Sequence, residues 1–252
     1  VASSQQPAAV KIFDLALSGD VSPERQISGA STGLVLTFAA LVDPLRREIF
    51  VADFSGDAIR VYPVDADGDV PPLREIAGAA TLLDSPIGMA LDPAAQELFV
   101  KPFGSSTVLV FPLQASGDVA PSRVLTSSVP LGVNSRAVVV DPMHGELFVT
   151  NQQAAGSVHV FPIGAAGVTA HLRTLTGAAT QLDHPGAMKL DLAHDELFVA
   201  ADALLLLRNR SRRAGRDRSR PGHRRARDRR SILERAHPDF SAHDDRRRAA
   251  GA

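Results

Sequence analysis

The sequence predicts an all-β fold, a β-propeller, and a repeated strand with a fixed period leads to this prediction. The pattern E-[LI]-F-V occurs four times, at residues 48–51, 97–100, 146–149 and 196–199, in steps of 49, 49 and 50 residues. An aspartate stands five positions before each copy, as Asp43, Asp92, Asp141 and Asp191. Self-similarity at this period indicates a repeat architecture, and no helical periodicity competes with it in residues 1–200.

Each E-[LI]-F-V strand is followed by a second repeated element, a hairpin that begins with V-x-V-F-P or a close variant. The copies lie at residues 10–13, 59–63, 108–112 and 158–162, and each leads through a glycine-containing turn to a strand that starts at an arginine. These arginines are Arg25, Arg74, Arg123 and Arg173. Proline after the aromatic residue ends the strand, because it cannot donate a hydrogen bond to the sheet. Four short strands in about 49 residues are typical of a propeller blade.

The repeats divide the chain into three whole blades and two half-blades. The half-blades are predicted at about 10–29 and 186–201, and the whole blades at about 38–78, 87–126 and 136–176. One position of the first strand is always small (Ala39, Gly88, Ala137, Ala187), which predicts crowding beside a central channel. The two half-blades could complete a fourth blade between them. We favour a truncated piece of a longer propeller, because an open propeller exposes unpaired strand edges.

A sharp change of charge predicts a domain boundary near residue 202. Residues 1–202 carry 11 basic and 22 acidic side chains, whereas residues 203–252 carry 16 arginines and 6 acidic side chains. We therefore predict a partial propeller at 1–202 and an Arg-rich tail at 203–252. If the tail is genuine, we expect it to be disordered or a short helix.

We interpret the Arg-rich tail as the product of a shifted reading frame. Read one nucleotide later, residues 222–229 permit A-I-A-G-P-A-T-G, which is close to the repeat sequence E-I-A-G-A-A-T-L at residues 75–82. Sequencing the coding DNA tests this hypothesis, because a restored frame would continue the propeller repeat.

Three motifs carry a family resemblance over about residues 10–202. They are P-x-G-x-A-x-D, E-L-F-V-[AT]-[DN] and S-V-x-V-F, and together they resemble the NHL and YVTN-type propeller repeats. The chain departs from the pattern at Ser135-Arg136 and at Lys101-Pro102. The resemblance implies a propeller that binds a ligand on its channel face or top loops, and it implies no activity by itself.

Residues that break the repeat are the candidate ligand-binding residues. Lys189 stands where the other copies have Leu41, Ala90 and Val139, and Arg136 stands where they have Phe38, Ile87 and Gly186. The other two candidates, Asp53 and Asn151, are selected for a different reason: they lie just past E-[LI]-F-V strands, where a loop residue can face a ligand. The alternatives are repeat drift for Arg136 and Lys189 and turn capping for Asp53 and Asn151. The recurrent aspartates are expected to bond the backbone of their own turns.

The sequence predicts neither catalytic residues nor a metal site nor a cofactor. The chain has no cysteine, which excludes disulfides and thiolate chemistry. It contains no nucleophile elbow, phosphate-binding loop or dinucleotide fingerprint, and its histidines lack metal-ligand spacing. Our first hypothesis is a non-catalytic binding or scaffold propeller for an unknown protein or small ligand.

Two other functions remain open. One is a lactonase-type propeller hydrolase with a divalent cation in its channel, which needs Glu, Asn and Asp side chains aimed at the axis. The other is nucleic-acid binding through the basic tail, which the net charge of -11 on residues 1–202 opposes. No apolar run is long enough for a membrane helix. The small polar start of the sequence is typical of a mature exported protein or of a cut fragment, so the compartment stays open, with an extracytoplasmic location favoured.

Overall fold

Short antiparallel strands follow one another along the chain in one repeated pattern. The computed structural model describes residues 8–129, 131–132, 135–153 and 156–201. The N-terminal half-blade contains β1 (Val10–Ile12) and β2 (Arg25–Ile27), and blade 1 contains β3 (Thr37–Asp43), β4 (Glu48–Asp53), β5 (Ala58–Pro63) and β6 (Arg74–Ala77). Blade 2 contains β7 (Pro86–Asp92), β8 (Glu97–Pro102), β9 (Thr107–Pro112) and β10 (Arg123–Ser127).

The second part of the chain continues the pattern. Blade 3 contains β11 (Val138–Asp141), β12 (Glu146–Asn151), β13 (Ser157–Pro162) and β15 (Arg173–Thr176), while β14 (Gly167–Thr169) joins the edge of blade 2. The C-terminal half-blade contains β16 (Pro185–Asp191) and β17 (Glu196–Ala201). Single 3₁₀ turns lie at Ala30–Thr32, Phe54–Gly56, Ala79–Thr81 and Ala178–Thr180. The predicted all-β propeller fold is confirmed, while the predicted tail at 203–252 lies outside the described residues.

The repeated sequence pattern fixes one register in all three blades. Glu48 lies opposite Pro63 in blade 1, and the corresponding Glu–Pro pairs occur in blades 2 and 3. The recurrent aspartates close the turn between the first and second strands. Asp92 Oδ1, for example, accepts hydrogen bonds from the backbone N–H groups of Ala94 and Ala95, both at 3.0 Å. This is the turn-capping role that the sequence predicts for these aspartates.

The hydrophobic core lies between consecutive blades rather than within them. Phe50 of the second strand of blade 1 shares a buried cluster with Phe111 of the third strand of blade 2. Phe99 and Phe161 form the same arrangement between blades 2 and 3. Burial of a phenylalanine side chain is worth about 1.5–3 kcal/mol, so each blade depends on its neighbours for much of its stability.

A backbone clasp also links each blade to the one before it. The turn between the third and fourth strands reaches back and pairs with the outer strand of the preceding blade. Gly68 N–H donates to Gln26 O at 2.8 Å, and Gly117 N–H donates to Glu75 O at 2.7 Å. In blade 3 this turn is β14, which pairs in parallel with β10. The clasp closes an edge that would otherwise expose unpaired backbone groups.

The two half-blades form separate two-stranded sheets. Within the described residues, β17 is hydrogen-bonded to β16 alone, and β1 is hydrogen-bonded to β2 alone. The structure therefore does not join them into a fourth blade within one chain, which the sequence left open.

Candidate functional site

A cavity of about 900 Å³ lies against the first strands of the blades, β3, β7, β11 and β16. We call it the channel-side cavity. Its lining is largely apolar or small, with Phe38, Ile87, Met89, Val139 and Met188 among the larger side chains. Its charged lining residues are Arg136 and Lys189, two of the four candidates that the sequence predicts.

The small residue in each first strand lets neighbouring strands approach at this cavity. At Gly88 an added Cβ would overlap the backbone carbonyl oxygen of Arg136. This close approach agrees with the crowding that the sequence predicts at this position. It also places Arg136, in the first strand region of blade 3, beside β7.

Arg136 presents its guanidinium group near a row of aromatic rings. Its Cζ atom lies 5.9 Å from the ring centroid of Phe103. Phe103 lies 5.7 Å from Phe54, which in turn lies 4.9 Å from Phe38, centroid to centroid. A guanidinium over an aromatic face is held by the ring quadrupole while its N–H groups stay available to a ligand. Arg136 forms no ion pair with any described residue.

Lys189 is the second cation of the channel-side cavity. It lies in β16 opposite Phe198 of β17, and its side chain is exposed. It forms no salt bridge with the part of the chain that the structure describes. An ammonium group of this kind keeps its three donors for solvent or for a ligand.

Asp53 and Asn151, the other two candidates, lie in buried polar contacts and do not line the cavity. The Asp53 carboxylate accepts hydrogen bonds from Leu36 N–H at 2.9 Å and from Arg60 Nε at 3.1 Å. Asn151 Oδ1 accepts a hydrogen bond from Gln153 N–H at 2.9 Å. The Asn151 contact is of the turn-capping kind that the sequence offered as the alternative, whereas Asp53 caps no turn and instead joins the segment before β3 to Arg60 of β5. The structure therefore brings together Arg136 and Lys189, and it places Asp53 and Asn151 elsewhere.

The contacts among Phe38, Phe54 and Phe103 and the contact of Gln152 with Pro185 were not predicted from the sequence. Phe54 and Phe103 occupy the same repeat position, one residue past the second strand, and Gln152 takes this position in blade 3. Gln152 lines the cavity and donates from Nε2 to Pro185 O at 3.2 Å. The sequence shows that these residues share one repeat position. It does not show that side chains of adjacent blades touch there, because that depends on the direction in which each side chain points.

Lys101 is a buried cation outside the cavity lining. Its side chain is fully buried, and Nζ donates to Pro102 O and Ser105 O, both at 2.6 Å. Burial lowers the pKa of Lys101 to about 8, because desolvation disfavours the charged form. The sequence shows Lys101 as a departure from the repeat, without showing that it is buried.

Among the described residues, the buried histidine is His159 of blade 3. His159 is 4 % exposed, and its Nε2 lies 3.0 Å from Ser157 Oγ while its Nδ1 lies 3.2 Å from Thr174 Oγ1. Burial lowers the pKa of His159, with a smaller effect from the nearby His171. The imidazole is therefore held neutral and serves as part of a structural hydrogen-bond network.

Two kinds of site have no counterpart in the described residues. Among them, no group of three or more His, Asp or Glu side chains is placed to hold a metal ion. The described part of the chain also contains no helix of the length and apolarity that a membrane span requires.

The comparisons with known proteins support the fold. No protein-family model and no curated protein matches the chain. Hydrazine synthase from Kuenenia stuttgartiensis is similar with a TM-score of 0.52 and 15% identity over 75% of this chain and 46% of that chain. A proposed 6-phosphogluconolactonase from Bacteroides uniformis gives 0.52 and 18% over 71% of this chain and 53% of that chain. A nidogen/laminin complex gives 0.49 and 16% over 66% of this chain and 57% of that chain.

The chain thus spans about half the length of the solved structures that it matches. At these identities the likeness to the first two structures establishes a shared β-propeller architecture, and it carries no information about ligand or activity.

Proposed function

We propose that this propeller binds an apolar organic anion in the channel-side cavity and does not act on it chemically. The observation that carries the proposal is the pairing of Arg136 with Lys189 on one lining. Neither cation has a carboxylate partner among the described residues, and the lining contains no acidic side chain. Unpaired cations in a concave, mainly apolar site attract an anionic ligand and orient it.

The apolar part of the ligand is inferred from the rest of the lining. Ile87, Met89 and Met188 line the cavity and offer adaptable apolar contacts, and the Arg136 guanidinium rests over the Phe103 ring. Methionine side chains adjust readily to ligands of different shape. A carboxylate attached to an aromatic or aliphatic group would use both kinds of contact.

The two alternative functions have less support. A lactonase-type cation site needs carboxylates on the channel, and the cavity lining offers cations instead. Nucleic-acid binding rests on the predicted tail at 203–252, which lies outside the described residues. We therefore base the proposed function on the propeller region at 1–202 alone.

Isothermal titration calorimetry with two matched probes tests this proposal. Phenylacetate carries the charge and the apolar ring, whereas phenylacetamide has nearly the same shape without the charge. We expect saturable binding of phenylacetate that is at least about tenfold tighter than binding of phenylacetamide, because a charge-assisted hydrogen bond is worth about 1.4 kcal/mol or more.

Substitution of the two cations tests whether phenylacetate binds in the channel-side cavity. The double variant Arg136→Gln/Lys189→Gln should lose at least about tenfold in phenylacetate affinity. Arg47→Gln is the matched control, because Arg47 is exposed and Gln96 already occupies its position in blade 2 with a similar φ of 63° against 56°. Equal affinity for both probes, or unchanged affinity in the double variant, would contradict the proposal.

A further inference from the structure

The two half-blades are complementary parts of one blade. The C-terminal half-blade supplies a first and a second strand, and the N-terminal half-blade supplies a third and a fourth. In blade 1, Ile49 lies opposite Tyr62 and Phe50 lies opposite Val61. The same register would place Leu197 opposite Phe13 and Phe198 opposite Ile12.

Every whole blade contains one Arg–Glu–Phe arrangement that joins its second and fourth strands. The ion pairs are Arg74–Glu48 at 2.6 Å, Arg123–Glu97 at 2.5 Å and Arg173–Glu146 at 2.7 Å. In the same blades the arginine Cζ lies 5.5 to 5.7 Å from the centroids of Phe50, Phe99 and Phe148. The guanidinium group therefore covers the phenylalanine ring while it binds the glutamate.

Each half-blade holds only one side of this arrangement. Arg25 Nη1 donates to Val64 O at 2.8 Å, the kind of carbonyl contact that Arg123 makes with Ile163 O at 3.1 Å. Within the described residues, Arg25 forms no ion pair, and neither does Glu196 on the C-terminal half-blade. Phe198 is 56% exposed, although its counterparts in the whole blades are buried.

A groove beside the C-terminal half-blade matches the exposed aromatic residue of the N-terminal half-blade. Phe13 is 47% exposed, whereas its counterparts Tyr62, Phe111 and Phe161 are fully buried. In the whole blades such a residue packs near the phenylalanine of the preceding second strand. The corresponding phenylalanine for an incoming Phe13 is Phe148, which lines a groove of about 450 Å³ between blade 3 and β17.

The backbone clasp between consecutive blades also lacks a partner at both half-blades. Asp69 Oδ1 accepts a hydrogen bond from Ser31 N–H at 2.7 Å, and Asp118 Oδ1 accepts one from Ala80 N–H at 2.7 Å. Their repeat counterpart in the N-terminal half-blade is the exposed Asp20. Gly177, at the receiving position of blade 3, has no other group within 4 Å of where its Cβ would lie.

We propose that the N-terminal half-blade of a second copy of this chain completes the C-terminal half-blade, and that the reciprocal contact closes a two-fold dimer. Within the described residues, Phe13 and Phe198 are left 47% and 56% exposed, so neither half-blade is completed by another described strand. Two copies would share two completed blades, each built from the C-terminal half-blade of one copy and the N-terminal half-blade of the other. This inference is independent of the proposed ligand.

Sedimentation velocity of the full chain and of two charge-reversal variants tests the dimer. The wild type should sediment with twice the monomer mass of 26.6 kDa. Arg25→Glu alone and Glu196→Arg alone each place like charges at both contacts, so each should raise the dimer dissociation constant at least about tenfold. An equimolar mixture of the two variants restores opposite charges at both contacts and should restore the dimer.

Three results would overturn the proposal. They are a monomeric wild type at all concentrations, a mixture that stays as dissociated as its components, and dissociation by Arg47→Glu, a control with the same charge change at an exposed site of blade 1. If the chain closed on itself instead, the wild type would be a monomer and mixing would rescue nothing.

Discussion

Lys101 shows how a single departure from the repeat changes the physical chemistry of one position. The other copies have Ala52, Thr150 and Ala200 there, whereas Lys101 is fully buried with two carbonyl groups as its acceptors. Backbone carbonyls satisfy the ammonium donors but do not neutralise the charge. The protonated form is therefore penalised in the folded state.

This penalty predicts a rise of stability with pH between pH 8 and 10. The pKa of Lys101 is lowered to about 8 in the folded chain, below its ordinary value of 10.5, so in this window the unfolded chain binds the extra proton. The free energy of unfolding should increase through the window, and Lys101→Met should remove that increase. Urea unfolding at pH 8, 9 and 10 measures it.

Two controls isolate the effect of Lys101. Lys11→Met removes an exposed lysine and should leave the pH dependence unchanged. Burial raises the pKa of Tyr62 to about 12, so its opposite effect grows from about pH 9 upward, as an unfolded tyrosine ionises, and is the same in wild type and Lys101→Met. An identical slope in wild type and Lys101→Met would show that this lysine does not titrate as inferred.

The sequence predicts more about backbone positions than about side-chain contacts. Arg136 and Lys189 stood out as departures from the repeat, and the structure places both on one cavity lining. Asp53 was selected for its place just past an E-[LI]-F-V strand, but its burial against Arg60 depends on a contact between two strands that the repeat pattern does not specify. The aromatic contact of Phe54 with Phe103 joins two blades, and it could not be predicted from the sequence for the same reason.

At the scale of the strand, close packing limits the size of the side chain that the first strand of a blade can carry. Gly88 in β7 approaches the Arg136 carbonyl so closely that no Cβ fits there, whereas around Gly186 in β16 the nearest groups lie 4.0 Å from the Cβ position. Both glycines belong to first strands. They differ in whether a neighbouring strand lies against them.

We expect Gly88→Ala to destabilise the protein by about 2 kcal/mol, because backbone atoms must move to accommodate the methyl group. Gly186→Ala should cost less than about 0.5 kcal/mol, since its methyl group meets only ordinary contacts. Urea denaturation of both variants measures the two values. Similar costs for both substitutions would mean that crowding by Arg136 is not what limits Gly88.

Strand positions themselves followed closely from the sequence. The E-[LI]-F-V pattern with its preceding aspartate predicted β4, β8, β12 and β17, because alternation and turn residues both specify a local conformation. The pairing of β14 with blade 2 was not predicted. It depends on contacts between blades and not on the sequence of residues 167–169.

At the scale of the whole molecule, local stability should be highest in blade 2 and should fall toward the two half-blades. Strands β8 and β9 are buried between neighbours on both sides, while β17 is largely exposed. In repeat proteins each unit gains most of its stability from adjacent units. Terminal units therefore open at a lower free energy than central ones.

Hydrogen exchange monitored by mass spectrometry tests this gradient. In dilute protein, amides of β8 and β9 should exchange slowest, and amides of β1, β2, β16 and β17 should exchange fastest. Raising the protein concentration should slow exchange in β1 and β17 selectively, because the proposed dimer pairs these two edges. Uniform protection along the chain in dilute protein would contradict the gradient.

The backbone clasp has a consequence for how such a protein can change its size during evolution. Each blade receives the turn of the following blade, so every whole blade presents the same contact to its neighbour. Duplication or loss of one 49-residue segment would then change the number of blades by one and leave the contacts between the remaining blades in the same form. Recombination could alter the number of blades while the chemistry of their contacts is inherited intact.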